Sequence, residues 1–432
     1  MLFAITACSG PASLTPNSTR YVSRAAAVRP STSTLKILYR FKGGTDAANP
    51  EPVLATLGGY LYGTTTSGGG SACAGLKGFS SGGCGTVFKI ATNGLGYKVL
   101  HALNGTKDGA GPSGGLTLSG STFYMTTEIG GSTNCSNKYS IGCGTIASMP
   151  ESGTGFKPSY AFKGGSDAAL ATGTLVLGSG MLYGTSYSGG TGCASTSSIS
   201  GCGTVFSLNP STGVEKVLYA FKGGSDGQHP VAALAYLNGT LYGATYSGGI
   251  GCSQNGGCGT IFSMSAATGA KRPIYRFAGT TDGCGPEGVA LSGTTLYVAA
   301  QLCGKNTVGT LGAINASTGK FTLLHAFGGG TDATYPSANV IVSGSNIFGV
   351  TANGGGKGCA YKSVTYGCGT VYEVSTTGVE KVLYGFSGGT DGDNPEGPVT
   401  LVNGVLYGTT YQGGGTGCTY GQGCGTVFSL TP

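Results

Sequence analysis

The chain has 432 residues, of which 87 are glycine and none tryptophan, and only 9% are charged, against roughly 25% in an ordinary soluble domain. Its net charge of +7 is spread thinly, with no Lys/Arg run longer than Lys271-Arg272, so the clustered basic stripe of a nucleic-acid binder is missing. No apolar stretch is long enough to span a bilayer as a helix, and the abundance of Thr, Val, Leu and Tyr argues against disorder beyond the N-terminal segment.

In chain order, the first feature is Ile5-Thr6-Ala7-Cys8, followed by Ser9 and Gly10. This run resembles the lipobox of bacterial lipoproteins, in which the cysteine becomes lipidated. Residues 1–7 then read as the remnant of a lipoprotein signal peptide, with Cys8 the lipidation site. The remnant is too short, and too uncharged at its front, for a full signal peptide, so the expected start of translation lies upstream. Residues 8–33 are rich in Ser, Thr, Ala and Pro and read as a flexible tether.

From residue 34 to 432, three phrases recur seven times in one order: an aromatic-ending strand (Ile37-Leu38-Tyr39-Arg40-Phe41), a Leu-Tyr-Gly strand (Leu61-Tyr62-Gly63) and a Gly-Thr-apolar strand (Gly85-Thr86-Val87-Phe88). A period of about fifty to sixty residues points to an array rather than separate domains. In the fourth repeat, residues 232–237 form an apolar run before the Asn238-Gly239 turn, and residues 241–246 form a second strand. A Gly-rich loop with two cysteines follows, then strands at 259–264 and 273–277. Asn-Gly between apolar runs is a strong hairpin signal. Each repeat therefore holds four antiparallel strands, A to D, and the predicted fold is an all-β, seven-bladed β-propeller. The repeats open on a D strand (35–41) and finish on a C strand (425–430), so the N-terminal strand should complete the last blade and close the ring. Strands between two blades should be apolar on both faces, as Val217-Leu218-Tyr219-Ala220-Phe221 is.

Fourteen of the fifteen cysteines pair within repeats. Cys73 is expected to bond Cys84, Cys135 to bond Cys143, Cys193 to bond Cys202, and Cys252 to bond Cys258. Cys359 is expected to bond Cys368, Cys418 to bond Cys424, and Cys284 to bond Cys303 as a variant pair. In the fifth repeat Val308 replaces the second loop cysteine, and Cys284 appears in the D–A connection, on the same face. Two thiols per loop without paired histidines do not suit zinc. Disulfides in an oxidising compartment do.

Leu406–Thr410, the Gly-Gly loops, Gly425–Phe428 and the Phe-x-Gly-Gly-x-Asp-Gly turns resemble the GloVer tandem repeat of bacterial "choice-of-anchor" surface proteins. The resemblance covers residues 35–432. It implies export, anchoring and a propeller-like array, and no particular reaction.

Asp46, Asp108, Asp167, Asp226, Asp282, Asp332 and Asp391 occupy one repeat position after the D strand, where an Asp caps its own turn. Candidate ligand-binding residues lie where the repetition lapses. Glu51, Glu287 and Glu396 follow a proline at the start of strand A in blades one, five and seven, with Asp393 near the last. Tyr187, Tyr246 and Tyr411 end B strands, and Tyr139, Tyr361, Tyr366 and Tyr420 lie in the cysteine loops. His101 and His325 replace the D-strand Tyr, and His229 alone lies on the loop face. No unique Ser or Cys nucleophile is apparent and no catalytic residue is assigned. The expected protein is a monomeric, lipid-anchored binding module of the cell envelope, at the outer membrane or cell surface, taking a polysaccharide or protein partner. It needs no cofactor, Ca²⁺ being the weaker alternative. The alternatives are a carbohydrate-active lyase or hydrolase using the acids at the channel mouth, and a structural envelope protein.

Overall fold

The computed structural model describes residues 33–74, 83–131, 135, 142–193, 201–252, 256–356, 358–361, 364–365, 367–415, 417–418 and 423–432. Seven antiparallel sheets form a ring of blades, each running from an inner strand A to an outer strand D. Blade one consists of Ala47–Pro50 and Ala55–Leu57 (A), Tyr60–Gly68 (B), Thr86–Ala91 (C) and Lys98–Ala102 (D). Blade seven consists of Thr400–Val402, Val405–Thr410 and Thr426–Thr431, completed by the N-terminal strand Thr34–Arg40. That strand pairs antiparallel with Thr426–Thr431, from Thr34 opposite Thr431 to Arg40 opposite Thr426, and so closes the ring as expected. No α-helix occurs among the described residues.

The three recurring phrases meet in one contact. In five of the seven seams the D-strand Phe packs edge-on against the C-strand aromatic of the next blade. Phe41 meets Phe88 with ring centroids 5.3 Å apart, Phe162 meets Phe206 at 5.1 Å, and Phe386 meets Phe428 at 5.3 Å. The Leu-Tyr-Gly glycine lies under the C-strand ring: a Cβ on Gly63, Gly184, Gly243 or Gly408 would strike Phe88, Phe206, Phe262 or Phe428. All these rings are buried, so the core is a set of seven seams between blades. Edge-to-face aromatic pairs add about 0.5–1.5 kcal/mol each beyond their burial.

A second contact ties each inner strand to the blade before it. Three residues after each repeated Asp stands a residue with positive φ: Asn49, Gly111, Leu170, His229, Gly285, Tyr335 and Asn394. Its N–H donates to the carbonyl of the preceding blade's second loop cysteine. Asn49 bonds Cys424 at 2.9 Å, Gly111 bonds Cys84 at 2.9 Å, and Leu170 bonds Cys143 at 3.0 Å. Tyr335 bonds Val308, the replacement residue, at 2.8 Å. In six blades a proline follows, seated on the preceding Gly-Thr glycine: a Cβ on Gly425 would collide with Pro50, and one on Gly85 with Pro112.

The seven expected disulfides are all present, with Cα–Cα distances of 5.0 to 5.5 Å. Cys73 bonds Cys84, Cys135 bonds Cys143, Cys193 bonds Cys202, and Cys252 bonds Cys258. Cys359 bonds Cys368, and Cys418 bonds Cys424. Cys284 and Cys303 join the D–A connection to the B–C loop in blade five. The second cysteine is the more deeply buried in five of the six regular blades, as with Cys143 at 2% against Cys135 at 7%, and in blade one Cys73 and Cys84 are both fully buried. Two details depart from the sequence reading. Strand D is only half-buried at the rim: of residues 217–221 only Phe221 is fully buried. Every C–D pair also carries a one-residue register shift, between Ile37 and Tyr39 in the first case. The bulge turns the aromatic end of strand D toward the seam.

Deleting residues 34–41 is expected to lower the unfolding midpoint of the whole ring in one cooperative transition, because it opens a sheet edge and a seam together. Phe41→Ala alone should cost about 3–5 kcal/mol in urea unfolding. A deletion with an unchanged midpoint would refute closure by this strand.

Candidate functional site

Strand A is interrupted in blade one between Pro50 and Ala55 and shifts register in blade three between Thr172 and Val176. The residues at these breaks face the axis of the ring. They enclose a cavity of about 190 Å³ to which all seven blades contribute. Glu51, Glu287 and Glu396 all line it, with Ser113, Thr174 and Asn339. The sequence reading thus selected three residues, 236 and 109 positions apart, that converge on one space.

The environment of these acids is unusual for carboxylates. Burial pushes the Glu51 carboxyl up to about 8, and the charges of Glu396 and Glu128 add to the rise. Glu396 is exposed toward the cavity, yet the surrounding blades still push its carboxyl up, opposed by Asn394, whose Nδ2 donates to Glu396 Oε1 at 2.6 Å. Asn49, the equivalent residue of blade one, instead donates to the Tyr411 carbonyl at 3.0 Å. Burial is the main reason that Glu51 is raised, and the neighbouring Glu396 carboxylate adds to it.

Beside the acids runs a second ring, from the last residues of the B strands. Tyr246 Oη donates to Gln301 Oε1 of the next blade at 3.2 Å. Tyr187 stacks on His229, centroids 4.3 Å apart. Tyr411 is pushed up to about 12 by burial, with Glu396, Glu51 and Glu128 contributing. Glu128 holds this position in blade two and was missed by the sequence reading. Its alignment with Tyr187, Tyr246 and Tyr411 in the repeat was the available signal. Burial also lowers His229, keeping the imidazole neutral.

Other candidates lie elsewhere. Asp393 does not line the cavity; it sits beside the Cys359–Cys368 bridge, and burial raises its carboxyl to about 6. Tyr361 belongs to the two-residue strand Ala360–Tyr361, paired with Val364–Thr365. Tyr139, Tyr366, Tyr420 and Cys8 fall outside the described residues.

The repeated aspartates bind their own turns. Asp46 Oδ2 accepts from Lys42 N at 2.9 Å and from Tyr39 Oη at 3.0 Å, while Oδ1 accepts Tyr97 Oη of the following blade at 2.7 Å. Asp167, Asp226, Asp282 and Asp391 likewise accept from a backbone N–H four residues earlier and a Tyr seven earlier. In blade one His101 takes the tyrosine's role, 2.9 Å from Asp108.

The Gloeobacter/Verrucomicrobia repeat family matches residues 27–253, 135–361 and 250–432 in three overlapping stretches. The chain therefore belongs to that family. No curated protein matches it. Among solved structures, a chain of the nidogen/laminin complex is similar over 74% of this chain and 96% of its own, at 11% identity and a TM-score of 0.44.

Two outcomes follow. Asp46→Ala should cost about 2 kcal/mol in urea unfolding, since it strands three donors, two of them part-buried tyrosine hydroxyls. Glu51 binds its proton more tightly folded (about 8) than unfolded (about 4.5), so its contribution is complete below about 4.5 and is lost as pH rises through about 8. Calorimetry of Glu51→Gln should show a shallower fall in midpoint across that window and a higher midpoint at its alkaline end. An unaltered pH profile would contradict a protonated Glu51.

Proposed function

We propose that this member of the repeat family is an exported binding module, a monomer held to the cell envelope by a lipid on Cys8, whose axial cavity takes a polysaccharide or a surface partner. One observation carries the reading: three glutamates from three blades line one cavity beside half-buried tyrosines. Carboxylates and amides hydrogen-bond hydroxyls, and phenol rings stack on the apolar faces of sugars. Seven disulfides suit an oxidising, extracytoplasmic setting. The ligand is read as neutral and rich in hydroxyls, with no nucleic acid and no resident cofactor; Ca²⁺ bridging Glu51 and Glu396 is the weaker alternative.

A second reading, glycoside cleavage at the same cavity, is favoured by two neighbouring carboxyls, Glu51 and Glu396, of which Glu396 alone accepts an amide hydrogen bond, from Asn394.

The test is a glycan array with the full chain, with and without EDTA. Binding without turnover, weakened in Glu287→Gln and Glu396→Gln, is the expected result. Product formation abolished in Glu51→Gln establishes the enzyme instead. Absence of binding to every glycan overturns the polysaccharide reading and leaves a protein partner or a structural envelope role.

A further inference from the structure

The repeated Asp is also approached from the next blade by one residue near the start of its D strand. In blades one to six that position holds Tyr97, Phe156, Glu215, Lys271, Phe321 and Glu380. Two of these side chains settle the Asp directly, whereas Glu215 faces Asp167 as a second carboxylate. Tyr97 hydrogen-bonds Asp46, and Lys271 Nζ lies 2.7 Å from Asp226 Oδ1. Phe156 stacks on His101, centroids 3.9 Å apart, leaving the His101–Asp108 bond intact at 2.9 Å. Phe321 stacks on Tyr275.

Glu380 behaves differently. It is the one acid at this position that meets a histidine: His325, Asp332 and Glu380 bring one ligand atom each within 4.8 Å of one another. His325 Nε2 and Glu380 Oε1 are buried and have no hydrogen-bond partner among the described residues. His325 Nε2 stands 3.5 Å from Asp332 Oδ2, against 2.9 Å in the sister pair His101–Asp108. That separation is too long for a good hydrogen bond. It matches the edge of a tetrahedral coordination sphere, about 3.3 Å for ligands about 2.0–2.1 Å from the ion.

We propose that His325, Asp332 and Glu380 form a site for a divalent transition-metal ion of the zinc type, bound at the seam where blade six's D strand crosses the preceding turn. The imidazole selects against Ca²⁺ and Mg²⁺, which take oxygen ligands. Asp332 is already oriented for the role: its Oδ2 accepts Gly328 N and its Oδ1 accepts Ala333 N, both at 2.6 Å. Such outer bonds fix a ligating carboxylate. The dication offsets the facing carboxylates Asp332 and Glu380, as Lys271 does for Asp226. His325 and Asp332 keep 19% and 26% side-chain exposure, so an ion and one water can enter. Three protein ligands leave that fourth position open. The bound ion would pin blade six to blade five independently of the axial cavity.

The test is titration of the full chain with Co²⁺, followed in the visible d–d region, and with Zn²⁺ by calorimetry. One ion per chain is expected, with the intense bands of four-coordinate Co²⁺. His325→Tyr restores the residue that five blades carry and so keeps the fold. It and Glu380→Gln should each weaken uptake by at least the about tenfold that losing even an outer partner costs. His101→Tyr should leave uptake unchanged. No uptake, or uptake that survives either His325→Tyr or Glu380→Gln, overturns the site.

Discussion

The fold depends on a backbone N–H at the inner edge of each blade, turned backward to reach the carbonyl of the blade before it. Reaching it requires a positive φ, and five of the seven residues there are not glycine: Asn49, Leu170, His229, Tyr335 and Asn394. For Leu170 and Tyr335 this conformation costs about 1–3 kcal/mol each. Seven repetitions of a strained geometry mean that what it secures outweighs the strain. It secures register. Once the N–H is bonded, the following proline seats on the preceding Gly-Thr glycine, and the residue after that is delivered to the axis. Glu51, Glu287 and Glu396 line one cavity because each sits two residues after such a bond.

This mechanism also explains where the disulfides lie. In six blades the accepting carbonyl belongs to the second loop cysteine, as with Cys84 and Cys143, so the bridge holds the acceptor in place. Blade five keeps the carbonyl, on Val308, and loses the thiol. Its substitute, Cys284, directly precedes Gly285, the donor to Cys258. The bridge there has moved from the acceptor of one inter-blade bond to the flank of the donor of another. Both placements stiffen the same stitch. That is a better account of a relocated disulfide than loop closure alone, because strand pairing already fixes the loop ends.

Much of this was legible because repetition exposes roles. Seven copies of Gly-Thr, with six of the D-strand Phe and five of the B-strand glycine, in one order define the strand order and the closure of the ring. The glutamates stood out by departing from a position otherwise held by Ser, Thr or Val. Glu128 did not, since it departs from a position already varied as Thr66, Gln301 and Ala352. The D-strand bulge was hidden for another reason. A one-residue register shift leaves no mark on composition, and alternate residues of strand D remain apolar on either side of it. The split of strand A at Pro50 was equally silent, because a proline reads the same at an edge and at a break.

The same logic separates the two kinds of acid in the chain. Six of the seven repeated aspartates accept a backbone N–H from four residues earlier and so hold their own turns, and of these only Asp332 also meets a histidine and a second carboxylate. Glu51 and Glu380 occupy positions that the repeat does not equip for charge. Each faces another carboxylate, and each is pushed upward by burial first, to about 8 and about 7. A carboxyl held above its ordinary range costs stability at neutral pH whenever nothing is bound beside it. Elsewhere in the ring the first position carries Ser, Thr or Val besides Glu287 and Glu396, and the second carries Tyr, Lys or Phe besides Glu215, whose carboxyl is likewise raised to about 7 beside Asp167. Under the proposed function and the proposed metal site, an acid is retained at these positions by what binds it, and not by the requirements of the ring.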